Sequence, residues 1–145
     1  TDNGTTDNLE AYKQAVKENP EATFICTSGA RQPVYFHSEH RQLPWCRELW
    51  PVPRLEMNPV DAKTRGIADG DVVSIVNDRG ACKMKVFVTE GIVPGTVATQ
   101  SGWTPDYTIE GNYQTLTHLT LNPTEEHISQ TCTAFYDVLV EVEKA

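Results

Sequence analysis

The stretch from Leu55 to Val88 leaves this chain little choice of architecture. A β-prone run, Leu55 to Met57, meets Asn58-Pro59-Val60-Asp61, where Asn58 can cap a helix, Pro59 suits its first position and Asp61 stands at the third. Gly66 ends that helix. Asp69-Gly70 turns the chain, and Asp71 to Asn77 and Cys82 to Val88 follow as strands joined through Asp78-Arg79-Gly80, a hairpin signal. In the second strand Cys82, Met84, Val86 and Val88 alternate with Lys83 and Lys85, giving one buried and one wet face. A centre of this kind has to be completed by further strands.

The flanks supply them. Thr23 to Thr27 reads as a strand running into Ser28-Gly29, and Pro94-Gly95 turns the chain into another at Thr96 to Thr99. Tyr136, Val138, Val140 and Val142 alternate with Asp137, Glu141 and Glu143 as a closing strand. Two irregular segments lie between. Residues 30–53 are rich in Arg, His, Pro and Trp, with one helical turn expected around Trp45 to Leu49 and with Tyr35, Phe36 and Trp45 as aromatic anchors. Residues 101–131 carry a short strand or turn at Leu116 to Leu121. Loops this long within one domain are usually functional or mobile. Ahead of all this, residues 1–22 form a polar tail and a peripheral helix, opened by the capping box Asp7-Asn8-Leu9-Glu10 and ended before Pro20. The fold class expected is mainly β with short helices, and closure into a barrel is the natural way to remove sheet edges at this size.

The 145 residues suit a single domain with its own core. A net charge of −8 repels phosphate backbones at long range, which argues against general nucleic-acid binding. It leaves room for one anionic ligand held by backbone N–H groups and a few basic side chains. No apolar run is long enough to span a bilayer. The chain opens at Thr1 without a signal peptide, and the expectation is a piece of a longer parent. Cys26, Cys46, Cys82 and Cys132 are scattered without a C-x-x-C pair, so buried thiols are expected and a metal site is not.

Chemistry concentrates between Ser28 and Arg41. Gly29 follows a strand and lets backbone approach a ligand, Arg31 can fork onto phosphate or a guanine edge, and His37 and Ser38 offer directional donors. The plainer alternative pairs Arg31 and Arg41 with acidic neighbours and leaves His40 solvated. His37 and His40 lack a third metal ligand, and Ser28 or Ser38 with His37 lacks a nucleophile elbow. No catalytic residue is assigned. Asp69/Asp71 and Glu125/Glu126 read as turn and surface carboxylates. Trp103 beside Gly102 can stack on a planar ligand or pack in a core, and Asn112 after Gly111 can read a base edge or make a turn.

The order of these pieces resembles a known family. CTSGARQPVYFHSEHRQLPW (Cys26 to Trp45), PRLEMNPVDAKTRGIADGDVVSIVNDRGACKMKVFVTEGIVPGTV (Pro53 to Val97), SGW (Ser101 to Trp103) and GNYQTLT (Gly111 to Thr117) are similar to the molybdopterin-dinucleotide-binding domain that ends catalytic subunits of the dimethyl-sulfoxide-reductase superfamily. The piece NP-x-DA … GI-x-DGD-x-V … RG is specific for the domain, and HSEHRQLPW for a subset of it. The resemblance covers about Thr23 to Glu143 and implies a six-stranded double-psi β-barrel over residues 23–145. It implies a molybdopterin guanine dinucleotide as cofactor, gripped by its guanosine and pyrophosphate, with Mo or W held mainly by the rest of a parent oxidoreductase.

By matching position, Gly29 to Ser38 should face the cofactor. Arg31, His37 and Ser38 lead there, Trp103 and Asn112 stand opposite, and Gln32, His40 and Tyr113 are secondary. Two departures stand out. Ala30 separates Gly29 from Arg31 where members often carry Gly-Arg, and no lysine stands in His127 to Thr133, where many have a basic contact. The implied partners are an iron–sulfur electron-transfer subunit and the remaining domains of the parent catalytic chain. The compartment, cytoplasmic or exported, is that of the parent. The alternatives are an independent double-psi-barrel enzyme and a free-standing dinucleotide-binding subunit.

Overall fold

The computed structural model describes residues 13, 14, 17, 18, 23–30, 32–120, 132–134 and 138–145. Its strands are β1 (Thr23–Ala30), β2 (Arg54–Met57), β3 (Val72–Asn77), β4 (Gly80–Val88), β5 (Thr96–Gln100), β6 (His118–Thr120), β7 (Cys132–Ala134) and β8 (Val138–Lys144). Two short helices interrupt them, α1 (Pro44–Leu49) and α2 (Pro59–Thr64), with 3-10 turns at Pro105–Tyr107 and Tyr113–Thr115. Six strands close a barrel in the order β1-β5-β2-β4-β3-β8, and β6 pairs with β7 apart from it. β1 runs parallel to β5 and β2 parallel to β4, while the other barrel neighbours are antiparallel. Parallel neighbours cannot be joined by a hairpin. The chain therefore crosses the barrel ends in long connections, which gives the double-psi β-barrel its two crossover loops.

The alternation expected of β4 holds: Cys82, Met84 and Val86 point inward and Lys85 and Phe87 outward. Val138, Val140 and Val142 of β8 close the same core, with Phe24, Cys26, Leu55, Met57, Val73, Ile75 and Val97. The hairpin is tighter than the sequence suggests. Gly80 pairs with Asn77 inside the ladder, and the Asn77 carboxamide oxygen accepts from the N–H groups of both Arg79 and Gly80. The capping box at Asp7 lies outside the described residues. So does Tyr136, while Lys13, Gln14, Lys17 and Glu18 are helical.

The motif that most resembles the family builds the barrel. Asn58 caps α2 by accepting from Val60 N–H at 2.9 Å, and its Nδ2 donates to Ile92 O at 2.7 Å. Asp61 accepts from Gly95 N–H at 2.8 Å, so α2 holds the turn that leads into β5. In the Asp69-Gly70-Asp71 turn, Asp69 accepts from Val88 N–H and Gly70 N–H donates to Val86 O. Asp71 accepts from Ala68 N–H and pairs with Lys144 at the end of β8. The Lys144 ammonium, helped by the Ala68 N–H, holds the Asp71 carboxyl below its ordinary range.

Candidate functional site: a rim made of two loops

Above the barrel, the crossover from β1 to β2 folds against the loop that follows β5. Tyr35, Cys46 and Trp103 form a second buried cluster there, with Val34, Leu43, Trp50 and Tyr107 packed around it. Tyr35 is the true anchor of the crossover. Its hydroxyl donates to the carbonyls of Trp50 and Cys46, and its ring meets Trp103 edge-on at 5.6 Å. Phe36 and Trp45, expected to anchor this loop, are 54% and 63% exposed. Pro44 at the first position of α1 turns Cys46 inward and leaves Trp45 on the outer face.

Arg41 joins the two loops. Its guanidinium lies 3.7 Å from the Trp103 ring centroid and 4.3 Å from that of Tyr35, flanked by both aromatic rings. Nε donates to Gly102 O at 2.9 Å, and Nη2 donates to His37 O at 2.8 Å and Ser101 O at 3.2 Å. The side chain is only 2% exposed and forms no ion pair with a described residue. For Arg41, the surface pairing with acidic neighbours weighed from the sequence is not found among the described residues, and Arg31 lies outside them. Burial lowers the basicity of this arginine, and Tyr35 partly restores it. Nη1, the Trp103 Nε1 and the Trp50 Nε1 are buried without a hydrogen-bond partner among the described residues. Orphaned buried donors are uncommon in folded proteins and point to an acceptor that belongs beside them.

The sequence candidates fall into three groups. His37, Ser38 and His40 are exposed on one tight stretch, and both histidines have positive φ, 51° and 69°. Such backbone is rare outside glycine and is found where surroundings impose it. Here the Glu39 N–H bond to Phe36 O, the Leu43 N–H bond to His40 O and the Arg41 clamp do so. Gln32 is half-buried and its carbonyl accepts from Tyr35 N–H. Gly29 lies near the end of β1, beside an irregularity in its pairing with β5. Arg31 lies outside the described residues.

On the opposite loop, Trp103, Asn112 and Tyr113 share a small recess with Gln100, Gly102 and Gln114. Asn112 Nδ2 donates to Trp103 O at 3.1 Å while its Oδ1 caps Gln114 N–H. Its amide thus shapes the rim. Tyr113 points into the barrel, 6% exposed, hydrogen-bonded with Ser28 and Cys26. Burial, with Cys26 nearby, pushes its phenol far above the ordinary value. Arg41 is the residue sequence reasoning missed. The signal available was an arginine between aromatic residues of two loops, legible only once those loops were known to meet.

Residues 24–134 match the family described as "Molydopterin dinucleotide binding domain". The chain is 47% identical over 88 residues to a dopamine dehydroxylase of Eggerthella lenta, covering 61% of this chain and 8% of that protein. It is 38% identical over 109 residues to a putative dimethyl sulfoxide reductase catalytic subunit of Halobacterium salinarum, covering 75% of this chain and 12% of that protein. Among solved structures, acetylene hydratase from Pelobacter acetylenicus superposes with a TM-score of 0.67 at 21% identity, over 92% of this chain and 19% of that one. The chain thus spans only a small part of the relatives it matches. With the closed barrel and the paired loops, these likenesses establish that it belongs to the molybdopterin-dinucleotide-binding domains of the dimethyl-sulfoxide-reductase superfamily.

Proposed function

We propose that the rim holds the guanosine and diphosphate end of a molybdopterin guanine dinucleotide, as one domain of a larger Mo or W oxidoreductase subunit. The observation that carries this is that the crossover loop and the Trp103 loop form one packed unit, with a buried indole N–H at Trp103 that has no partner among the described residues. An indole N–H with no acceptor suits a ligand carbonyl or phosphate oxygen. His37, Ser38 and His40 stand exposed on the same unit, free to donate to the ligand's polar groups. Gly29, Gln32 and Asn112 shape the surface on which it rests, and Arg31 and Tyr113 complete the set named from the sequence. When bound, the cofactor supplies the redox-active metal and its dithiolene sulfurs. This chain's residues bind and orient the nucleotide tail and keep water from it.

Titrating GMP or GDP into the 15N-labelled chain tests the reading. Amide resonances of Gly29 to Ser38 and the indole resonance of Trp103 should move together. Shifts confined to the barrel wall around Val76 and Glu141 would reject the site.

A further inference from the structure

Building on that reading, we propose that Arg41, outside the set of ligand contacts named above, gives the rim its preference for a diphosphate: it fixes the two loops in register and places an uncompensated positive charge beneath them. Three observations carry this. Arg41 is 2% exposed, yet no carboxylate of a described residue pairs with it. Buried charges are ordinarily paired, because low-dielectric surroundings penalise a lone ion. Its Nε and Nη2 are committed to the carbonyls of His37, Ser101 and Gly102, one or more from each loop. The N–H groups on Nη1 have no partner among the described residues. Carbonyl dipoles and two aromatic faces make the cation tolerable, and only an anion would neutralise it. In a chain of net charge −8, a local positive centre is also the feature that would let a diphosphate approach.

The charge is shielded from solvent, so its influence reaches a ligand on the rim through protein of low dielectric, where screening by salt is weak. Arg41 is therefore a positioning residue with an electrostatic role. That role separates from a purely structural one by comparing a charged with an uncharged ligand on the same surface.

The experiment measures the affinity of the full chain for GDP and for guanosine, in the native protein and in Arg41→Gln and Arg41→Lys. Glutamine retains N–H donors for the loop carbonyls without charge, and lysine retains charge with fewer donors. The expected result is that Arg41→Gln weakens GDP binding roughly tenfold, the scale of a charge-assisted interaction, while guanosine binding changes by less than about threefold. Arg41→Lys should keep most of the GDP-to-guanosine ratio. Equal losses for both ligands, or no loss for either, would overturn the charge role and leave the rim reading intact. A native chain that binds neither ligand would overturn both. Should Arg41→Gln fail to fold, the side-chain Nε–H resonance of Arg41 in the native chain supplies the test. It should shift on addition of inorganic pyrophosphate, and a fixed resonance while Trp103 moves would defeat the proposal.

Discussion

A Cβ atom on Gly102 would stand 2.6 Å from both the carbonyl carbon and the carbonyl oxygen of His37. Gly102 also has φ +82°, a region L side chains avoid. The two loops of the rim therefore meet backbone to backbone, and the same His37 carbonyl accepts from Arg41. Close approach and clamp act on one peptide group.

Gly102→Ala should accordingly damage the rim more than the barrel. The left-handed backbone and the collision together should cost about 2–4 kcal/mol. The collision is with backbone atoms, which cannot rotate away. Chemical denaturation should show the loss. The 15N–1H indole resonance of Trp103 should report a displaced ring even where the far-ultraviolet signature of the barrel persists. An alanine variant with native stability and a native Trp103 indole resonance would contradict the contact.

Asn112 makes a second, subtler tie. Its Nδ2 holds the Trp103 carbonyl and its Oδ1 caps the 3-10 turn at Gln114. Asn112→Asp preserves the capping oxygen and replaces the donor by an acceptor facing an acceptor. The expected cost is about 1–3 kcal/mol, that of leaving the Trp103 carbonyl unsatisfied. GDP affinity should fall with it, because the indole loses its support. Asn112→Ser, which can still cap, should fall between the native chain and Asn112→Asp in a thermal melt.

How much of this is legible in the sequence depends on the range of the forces involved. Asn58-Pro59 before a helix, the Asp69-Gly70 turn and the alternation of Cys82 to Val86 are local signals, and each sits where the sequence places it. The barrel's closing pairs, β1 with β8 and β3 with β8, join residues far apart in sequence, and only the family resemblance supplies them. The loop anchors are half legible. Tyr35 is buried, but Phe36 and Trp45 are exposed, because an aromatic residue's side of a loop is set by what packs across from it. Arg41 looks like a surface cation in the sequence, because its burial depends on the Trp103 ring and the Ser101 carbonyl, both about 60 residues along the chain. His37, Ser38 and His40 do share a surface, whereas Tyr113 faces the core.

The Asn58 side chain offers a clean test of why the family motif is architectural. Asn58→Asp keeps the acceptor for Val60 N–H and removes the donor to Ile92 O. The residue is 8% exposed, so the Ile92 carbonyl is left without its partner and a carboxylate is brought into a confined place. The loss should be about 2–3 kcal/mol, mostly from that unsatisfied pairing. Helix α2 should survive, since aspartate caps as well as asparagine. A urea transition shifted to lower midpoint with unchanged steepness is the expected signature.

The thiols of the barrel core set a limit at alkaline pH. Burial pushes Cys26 and Cys82 from 9.0 to about 12, with the Tyr113 hydrogen bond opposing and Cys82 reinforcing the effect at Cys26. A group that binds its proton more tightly when folded stabilises the fold fully below its unfolded value. That contribution is lost as pH rises through the folded value. The thiols' contribution to stability should therefore be flat below about pH 9 and fall between about pH 9 and about pH 12, by on the order of 1 kcal/mol per pH unit for each thiol. Cys82→Ala, whose shift comes from burial alone, should lower stability at neutral pH through lost packing yet make the alkaline slope shallower. Thiol reagents at about pH 8 should modify neither residue until the chain unfolds, because the thiolate is the reactive form. Urea midpoints measured from about pH 7 to about pH 11 decide the matter: equal slopes for the native chain and Cys82→Ala would mean that the core thiols do not control the alkaline limit.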